Sequence, residues 1–326
     1  VRSRVPNGGR DGPTHSYSPG FPTGVAVHTV TSLEPPRLSS VPVEWEQLEF
    51  SSRSLVFVED GRRLMRAWGP ARRPWVVGVE PRGQRWRVEA WGAGPVQARA
   101  AVRAMFCLEH RLEEFYRLVR REPVLRGTER RFRGLRLPRD ANLYEALLHA
   151  IIGQQLSVRA ANALKRRLFE RTGAFVTADR VNVPCAPRPG QLVALGPQGL
   201  RALGISWAKA RAIIRLAVDA TGLARLEGRL AACSVEEAVE TLVQLPGVGR
   251  WTAENALVRG LGRPDVFVAG DLGLRVALDE YGVLPRAAPE ADARAWCDRH
   301  YPGWGSYATL YLWRKLVDDR ARRVGG

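Results

Sequence analysis

The chain of 326 residues is poor in cysteine and in lysine, and it has no long apolar run. Its four cysteines, Cys107, Cys185, Cys233 and Cys297, are scattered with no CxxC pair, so neither a disulfide framework nor a zinc ribbon is suggested. No apolar stretch approaches the roughly 18 residues that span a bilayer. A basic-then-apolar leader pattern is missing from the N-terminus. These absences set the expectation of a soluble, cytoplasmic protein without a membrane partner. The chain opens on Val1 rather than Met, which reads as a fragment or as a stretch translated from upstream of the true start.

Lysine is scarce in a chain that is nonetheless strongly basic. Of the 50 basic residues only Lys165, Lys209 and Lys315 are lysine, and the net charge is +17. A GC-rich coding bias accounts for arginine over lysine. It does not account for the excess of base over acid, which points to a polyanion such as nucleic acid, with a merely basic surface as the bland alternative. Nine arginines between Arg117 and Arg139 make one candidate lining for such a partner, although arginine-rich helices are usually solvated faces.

Three regions differ in texture. Residues 1–40 are rich in Gly, Pro, Ser and Arg and read as a disordered tail. Residues 41–120 read as a small α+β domain, an antiparallel sheet with a helix. Its expected strands are 54–58, 75–79 and 85–91, with turns at Asp60-Gly61 and Arg82-Gly83, and a helix over 95–119. From 121 to 326 the expectation is an all-α domain. Asn142 with Glu145 and Ser234 with Glu237 are capping-box starts, Ser157 caps another helix, and Gly173, Gly204 and Gly222 are expected stops. Residues 179–190 read as a Pro-rich loop.

The densest signal is Leu245-Pro246-Gly247-Val248-Gly249-Arg250-Trp251-Thr252-Ala253-Glu254. Pro246 closes one helix, and two glycines permit positive φ and close approach. The N–H groups of Gly247, Gly249 and Arg250 then open a new helix whose positive end suits a phosphate. Taken alone, the stretch reads equally as a plain connection between helices. Asp271 follows before another amphipathic helix, where an Asp is most often an N-cap.

These residues resemble the helix-hairpin-helix DNA glycosylase superfamily, and within it the DNA-3-methyladenine glycosylase II family. The likeness extends to Gly134–Pro138, Ala150–Val158, Leu203–Ile205 with Lys209, and Trp304–Ala308. It implies an α+β N-terminal domain followed by an all-α helix-hairpin-helix glycosylase domain, acting as a monomer on double-stranded damaged DNA in base excision repair. It places the catalytic acid at Asp271, where a fixed anion stabilises positive charge at C1′. Gly247, Gly249, Arg250 and Thr252 are then the DNA contacts. The turn with Gln155 and Leu156 is then the wedge that fills the gap left by a flipped base. A second acid that precedes the catalytic one in the family is replaced by Gly270, leaving one acid for the work.

Bifunctional relatives carry a nucleophilic lysine where this chain has Trp251, so the resemblance implies a monofunctional hydrolase without lyase activity. Trp251 and Trp304 are candidate walls of a pocket for cationic alkylated purines such as 3-methyladenine, although most tryptophans simply pack in cores. The family also implies a structural monovalent cation (Na+ or K+) on the carbonyls of Val243, Leu245 and Val248, and no catalytic metal. Only Cys297 follows Asp271, so no iron–sulfur cluster is expected. The alternatives are a glycosylase for oxidised or deaminated bases on the same scaffold and a non-catalytic helix-hairpin-helix DNA-binding protein.

Overall fold

The computed structural model describes residues 28–33, 57–60, 63–70, 73–82 and 85–324. Among these, β1 (His28–Leu33), β2 (Phe57–Asp60), β3 (Arg63–Trp68), β4 (Trp75–Arg82) and β5 (Arg85–Trp91) form an antiparallel sheet in the order β1-β5-β4-β3-β2. β1 corrects the tail assignment. It lies inside 1–40 and pairs with β5 from His28 opposite Trp91 to Leu33 opposite Trp86. Six residues of β-branched texture were masked there by their Pro- and Ser-rich flanks. β3, carrying Arg63 and Arg66, was hidden by its charge. Residues 1–27, 54–56, Gly61 and Gly83 lie outside the described residues.

Helix α1 (Pro95–Met105) covers one face of the sheet, with Ala98, Val102 and Met105 against Leu64, Val77, Val79 and Val88. The helix expected over 95–119 is interrupted. Cys107 takes φ 46, and a separate helix α2 (Leu112–Val119) follows. The break exposes carbonyls of Cys107 and His110, which accept from the buried Arg136 at 3.0 and 3.2 Å.

The helical region comprises α3 (Thr128–Arg131), α4 (Leu143–Gly153), α5 (Val158–Thr172), α6 (Pro189–Ala202), α7 (Trp207–Val218), α8 (Ala220–Ala232) and α9 (Val235–Leu242). Helix α10 (Arg250–Ala256) follows, running into a π-turn at Leu257–Leu261, and then α11 (Leu272–Glu280), α12 (Glu290–His300) and α13 (Gly305–Val324). Capping explains the starts. The side chains of Asn142, Ser157 and Ser234 accept from the N–H three residues on, at 2.9, 3.2 and 3.2 Å. Ser234 and Glu237 complete a capping box, whereas Glu145 turns its free oxygen to the N–H of Ala141 instead. Gly204 is left-handed at φ +94 and follows α6 as expected, but Gly222 lies inside α8 and stops nothing.

The strands do not end with the N-terminal domain. β6 (Phe175–Ala178) and β7 (Val181–Pro184) form a hairpin whose second strand lies within the stretch 179–190 expected to be a loop. It exists because the sheet needs cover on its second face: Met65, Ala67, Val76 and Trp91 pack on Phe169, Val176, Ala178 and Val183. The region from 121 is therefore mostly helical with one docking hairpin.

A buried charge cluster fastens the same junction. Arg66 of β3 donates to Asp140 at 2.9 Å and to Glu145 at 3.3 Å, with all three side chains nearly inaccessible. His149 and Arg259 also face Asp140, at 3.5 and 3.6 Å. Asp140, Glu145 and His149 have ligand-like spacing, but the two guanidinium groups already supply the cation that a metal would bring. Burial alone would raise the Asp140 carboxyl; Arg259, His149 and Arg66 reverse this and hold it well below the usual carboxylate range.

Replacing Asp140 by Asn removes the buried carboxylate that Arg66 and Arg259 share, leaving Arg66 with Glu145, and is expected to cost about 3 kcal/mol in denaturant unfolding. The sign with pH follows from the lowered value. The contribution of Asp140 is intact above its unfolded-state pKa of about 3.9 and is lost as pH falls through the folded-state value. The wild-type chain should therefore lose stability in acid more steeply than Asp140→Asn; parallel pH profiles would contradict the assignment.

Candidate active site

The hairpin between α9 and α10 has the geometry its glycines allow. Gly247 is left-handed at φ +80, and a Cβ there would fall 2.4 Å from the Cβ of Ala212 in α7. Gly249 is the N-cap of α10 with an ordinary φ of −89 and no side-chain cap, so the first N–H groups of α10 are left to an outside acceptor.

One expected DNA contact needs correction. Thr252 is only 2% exposed, and its hydroxyl accepts from Gln154 Nε2 at 2.9 Å, so this side chain faces the protein. Arg250 gives its guanidinium to Glu236 at 2.7 and 2.6 Å and to Glu254 at 3.0 Å. Its backbone N–H, not its side chain, remains the group that can meet a phosphate. Glu236 is drawn below the usual carboxylate range by those hydrogen bonds from Arg250. The arginine-rich stretch is also partly inward. Arg131 pairs with Asp318 and Asp319, Arg136 is buried, and Arg139 donates to the Gly260 carbonyl.

Asp271 is the N-cap of α11, its Oδ1 accepting from the Leu274 N–H at 3.0 Å. It does more than cap. Trp251 Nε1, from α10, donates to Oδ2 at 3.1 Å, and Trp313 Nε1, from α13, donates to Oδ1 at 3.2 Å. Backbone and two indoles from three helices thus converge on one carboxylate, and among the described residues no cation is paired with it. A carboxylate has about four lone-pair sites; three are taken, and the open one is on Oδ2.

Trp313 was missed in the sequence. Forty-two positions separate it from Asp271, and its surrounding Leu-Tyr-Leu-Trp reads as a core helix. Trp304, expected in the pocket, packs instead against Phe115 and Tyr307 at ring separations of 5.9 and 5.4 Å. Gly270 also carries a surprise. A Cβ on it would stand 2.7 Å from Oε1 of Glu290, so a carboxylate from α12 fills the space beside residue 270. Glu290 is bound to Arg294 at 2.5 Å, and Arg294 also reaches Glu254.

The expected wedge turn lies against the hairpin. Gln155 and Leu156 are exposed, and Gln155 is left-handed at φ 54 although it is not glycine. Gln154 Nε2 donates to the carbonyl of Gly247 at 2.8 Å, joining the turn to the hairpin. The carbonyls of Val243, Leu245 and Val248 belong to the end of α9 and the hairpin; that of Leu245 accepts from the Val248 N–H at 3.0 Å.

Comparison with known proteins relates the chain to DNA repair enzymes. The family of HhH-GPD superfamily base excision DNA repair proteins matches residues 148–298. DNA-3-methyladenine glycosylase 2 of Escherichia coli is 37% identical over 183 residues, 55% of this chain and 60% of that protein. The chain therefore spans less than two thirds of the length of that relative. DNA-3-methyladenine glycosylase of Bacillus subtilis is 30% identical over 65% of this chain and 69% of its own. The solved 3-methyladenine DNA-glycosylase from Archaeoglobus fulgidus superposes with a TM-score of 0.75 at 25% identity, covering 87% of this chain and 97% of that one.

The two hairpin glycines separate in a stability test. Gly247→Ala meets both a left-handed φ and a collision, and should cost about 2 kcal/mol. Gly249→Ala meets open space at an ordinary φ and should leave the melting temperature unchanged. Equal losses in thermal denaturation would show that the hairpin is held differently.

Proposed function

The chain belongs to the HhH-GPD superfamily of base excision DNA repair proteins, and from that membership we propose that it is a monofunctional DNA glycosylase that hydrolyses the N-glycosidic bond of alkylated purines in duplex DNA. The observation that carries the proposal is the Asp271 carboxylate, fixed by three neutral N–H donors beside the uncapped hairpin helix. Relatives bearing the name DNA-3-methyladenine glycosylase support the substrate class.

The chemistry follows from the charges. As the bond between C1′ and the purine nitrogen breaks, its electron pair leaves with the base, and a cationic alkylated base departs neutral. Positive charge collects on C1′ and the ring oxygen. Asp271 opposes that charge without a competing cation, and the open lone pair on Oδ2 is the one available to orient water for addition to C1′. The hairpin amides hold a backbone phosphate meanwhile, independent of base sequence.

Water is the nucleophile because no amine is in place. Trp251 stands at the lysine position of bifunctional relatives and donates to Asp271. The three lysines are occupied elsewhere. Lys209 bonds backbone carbonyls, Lys315 pairs with Asp319 over the Tyr281 ring, and Lys165 lies by the Asp140 cluster. A structural Na+ or K+ would be held by the carbonyls of Val243, Leu245 and Val248. Terminal carbonyls of α9 lack intrahelical donors, which suits a hard cation. Such an ion would offset phosphate charge and take no part in bond cleavage.

Asp271→Asn is expected to abolish base release from duplexes carrying 3-methyladenine, 7-methylguanine, hypoxanthine or 8-oxoguanine while preserving DNA binding. Wild-type release should favour the methylated purines. Release by the Asn variant would remove Asp271 from the mechanism, and preference for 8-oxoguanine would replace the substrate class. Borohydride should trap no covalent complex of the native protein with lesion DNA; a trapped complex would refute the monofunctional reading.

A further inference from the structure

We propose that Lys209 and Gln154 are positioning residues that lock the exposed turn at 153–157 and the phosphate-gripping hairpin into one rigid body, fixing where Gln155 and Leu156 enter the duplex. The proposal rests on the glycosylase reading above and concerns the step before bond cleavage.

The turn needs external support. Gln155 at φ 54 occupies a backbone region that side chains other than glycine rarely adopt, and such a conformation persists only where neighbours over-determine it. Two neighbours do so. Lys209 Nζ, reaching across from α7, donates to the carbonyls of Ile152 at 3.0 Å and Gln154 at 2.6 Å. These are groups at the end of α4, where the helix offers no N–H partner and a positive charge is favoured. The side chain of Gln154 then uses its amide nitrogen on Gly247 O at 2.8 Å and on Thr252 Oγ1 at 2.9 Å. Gln154 is thus held from both ends, by α7 through its carbonyl and by the hairpin through its amide.

The third side of the triangle is a close contact. Gly247 sits so near Ala212 of α7 that no Cβ would fit between them. Lys209 and Ala212 lie three residues apart on the same helix, so α7 touches the turn with one and the hairpin with the other. Turn, hairpin and α7 are each joined to the other two, and a displacement of one requires breaking at least two of these contacts. An inserted side chain must resist the tendency of the stack to close behind a flipped base. A turn braced on the hairpin passes that load to the phosphate grip. The compact, three-donor ammonium suits two converging carbonyls better than a planar guanidinium, in a chain that otherwise uses arginine almost throughout.

The test uses full-length Lys209→Met and Gln154→Ala with duplexes carrying 7-methylguanine, either paired with cytosine or placed in a one-nucleotide bulge where unstacking is already cheap. Losing hydrogen bonds of this kind is expected to slow single-turnover release about 10-fold or more on the paired lesion, and less than about 3-fold on the bulge. A 2-aminopurine beside the lesion reports unstacking on binding without any need for excision; its fluorescence rise should be present with wild type and reduced in both variants. Equal losses on paired and bulged substrates, or an unchanged fluorescence rise, would overturn the proposal. Wild-type unstacking without release of any base would overturn the glycosylase reading and leave the brace standing.

Discussion

Three N–H groups from three helices meet on the Asp271 carboxylate, and much of the helical region is arranged so that they can. The Leu274 amide comes with α11 at no cost, since capping is local. The two indoles do not. Trp251 must be delivered by a helix that starts at the hairpin, and Trp313 by a helix that follows the rest of the domain in sequence. Hydrogen bonds near 3 Å tolerate little drift, so α13 has to be fixed along its length. Ser306 donates to the carbonyls of Arg263 and Val266 at its start, and Tyr307 and Tyr311 are fully buried against Phe115. The aromatic column that includes Trp304 is, on this view, a foundation of the site.

The excess of positive charge acts at two ranges. Near the hairpin it is largely spent within the protein: Glu236, Arg250, Glu254, Arg294 and Glu290 alternate in sign through successive ion pairs. That chain ties α9, α10 and α12 together and occupies the Arg250 guanidinium, so the phosphate contact in the proposed function falls to the backbone. A net charge of +17 still creates a long-range field that draws DNA and weakens with salt. Attraction and grip are therefore separate properties, and Arg250 belongs to the architecture of the grip more than to the contact itself.

What the sequence revealed was what depends on neighbours in the chain. Asn142, Ser157, Ser234 and Asp271 cap helices through the third residue ahead, and the Pro-Gly-Val-Gly hairpin is defined within a few positions, so all were legible. Trp313, Glu290 and the role of Lys209 were not, because each acquires its meaning from a partner in another element, 42, 20 and 55 positions away respectively. Thr252 was misjudged for the same reason: its partner, Gln154, comes from another element. β1 and the β6–β7 hairpin escaped notice because short strands without a long alternating run are specified by the surface they cover. The space beside Gly270 is taken by Glu290 from α12, whose carboxylate is paired with Arg294.

The identity of the donors around Asp271 explains why tryptophan at position 251 is more than a missing lysine. Asp140, Glu145, Glu254 and Asp319 all face arginine, lysine or both, so their charge is cancelled inside the protein. Asp271 is held by an amide and two indoles, which orient a carboxylate without adding a positive charge. On the proposed function, an ammonium at position 251 would supply a nucleophile and at the same time neutralise the anion set against C1′. A neutral N–H does the opposite on both counts: it offers no lone pair to attack the sugar, and it leaves the full negative charge to be answered by the developing cation. Electrostatic stabilisation is strongest when the stabilising charge has no other partner. On the proposed function, a residue that withholds a covalent nucleophile also leaves the carboxylate its charge, and the two indoles are what hold that carboxylate rigid.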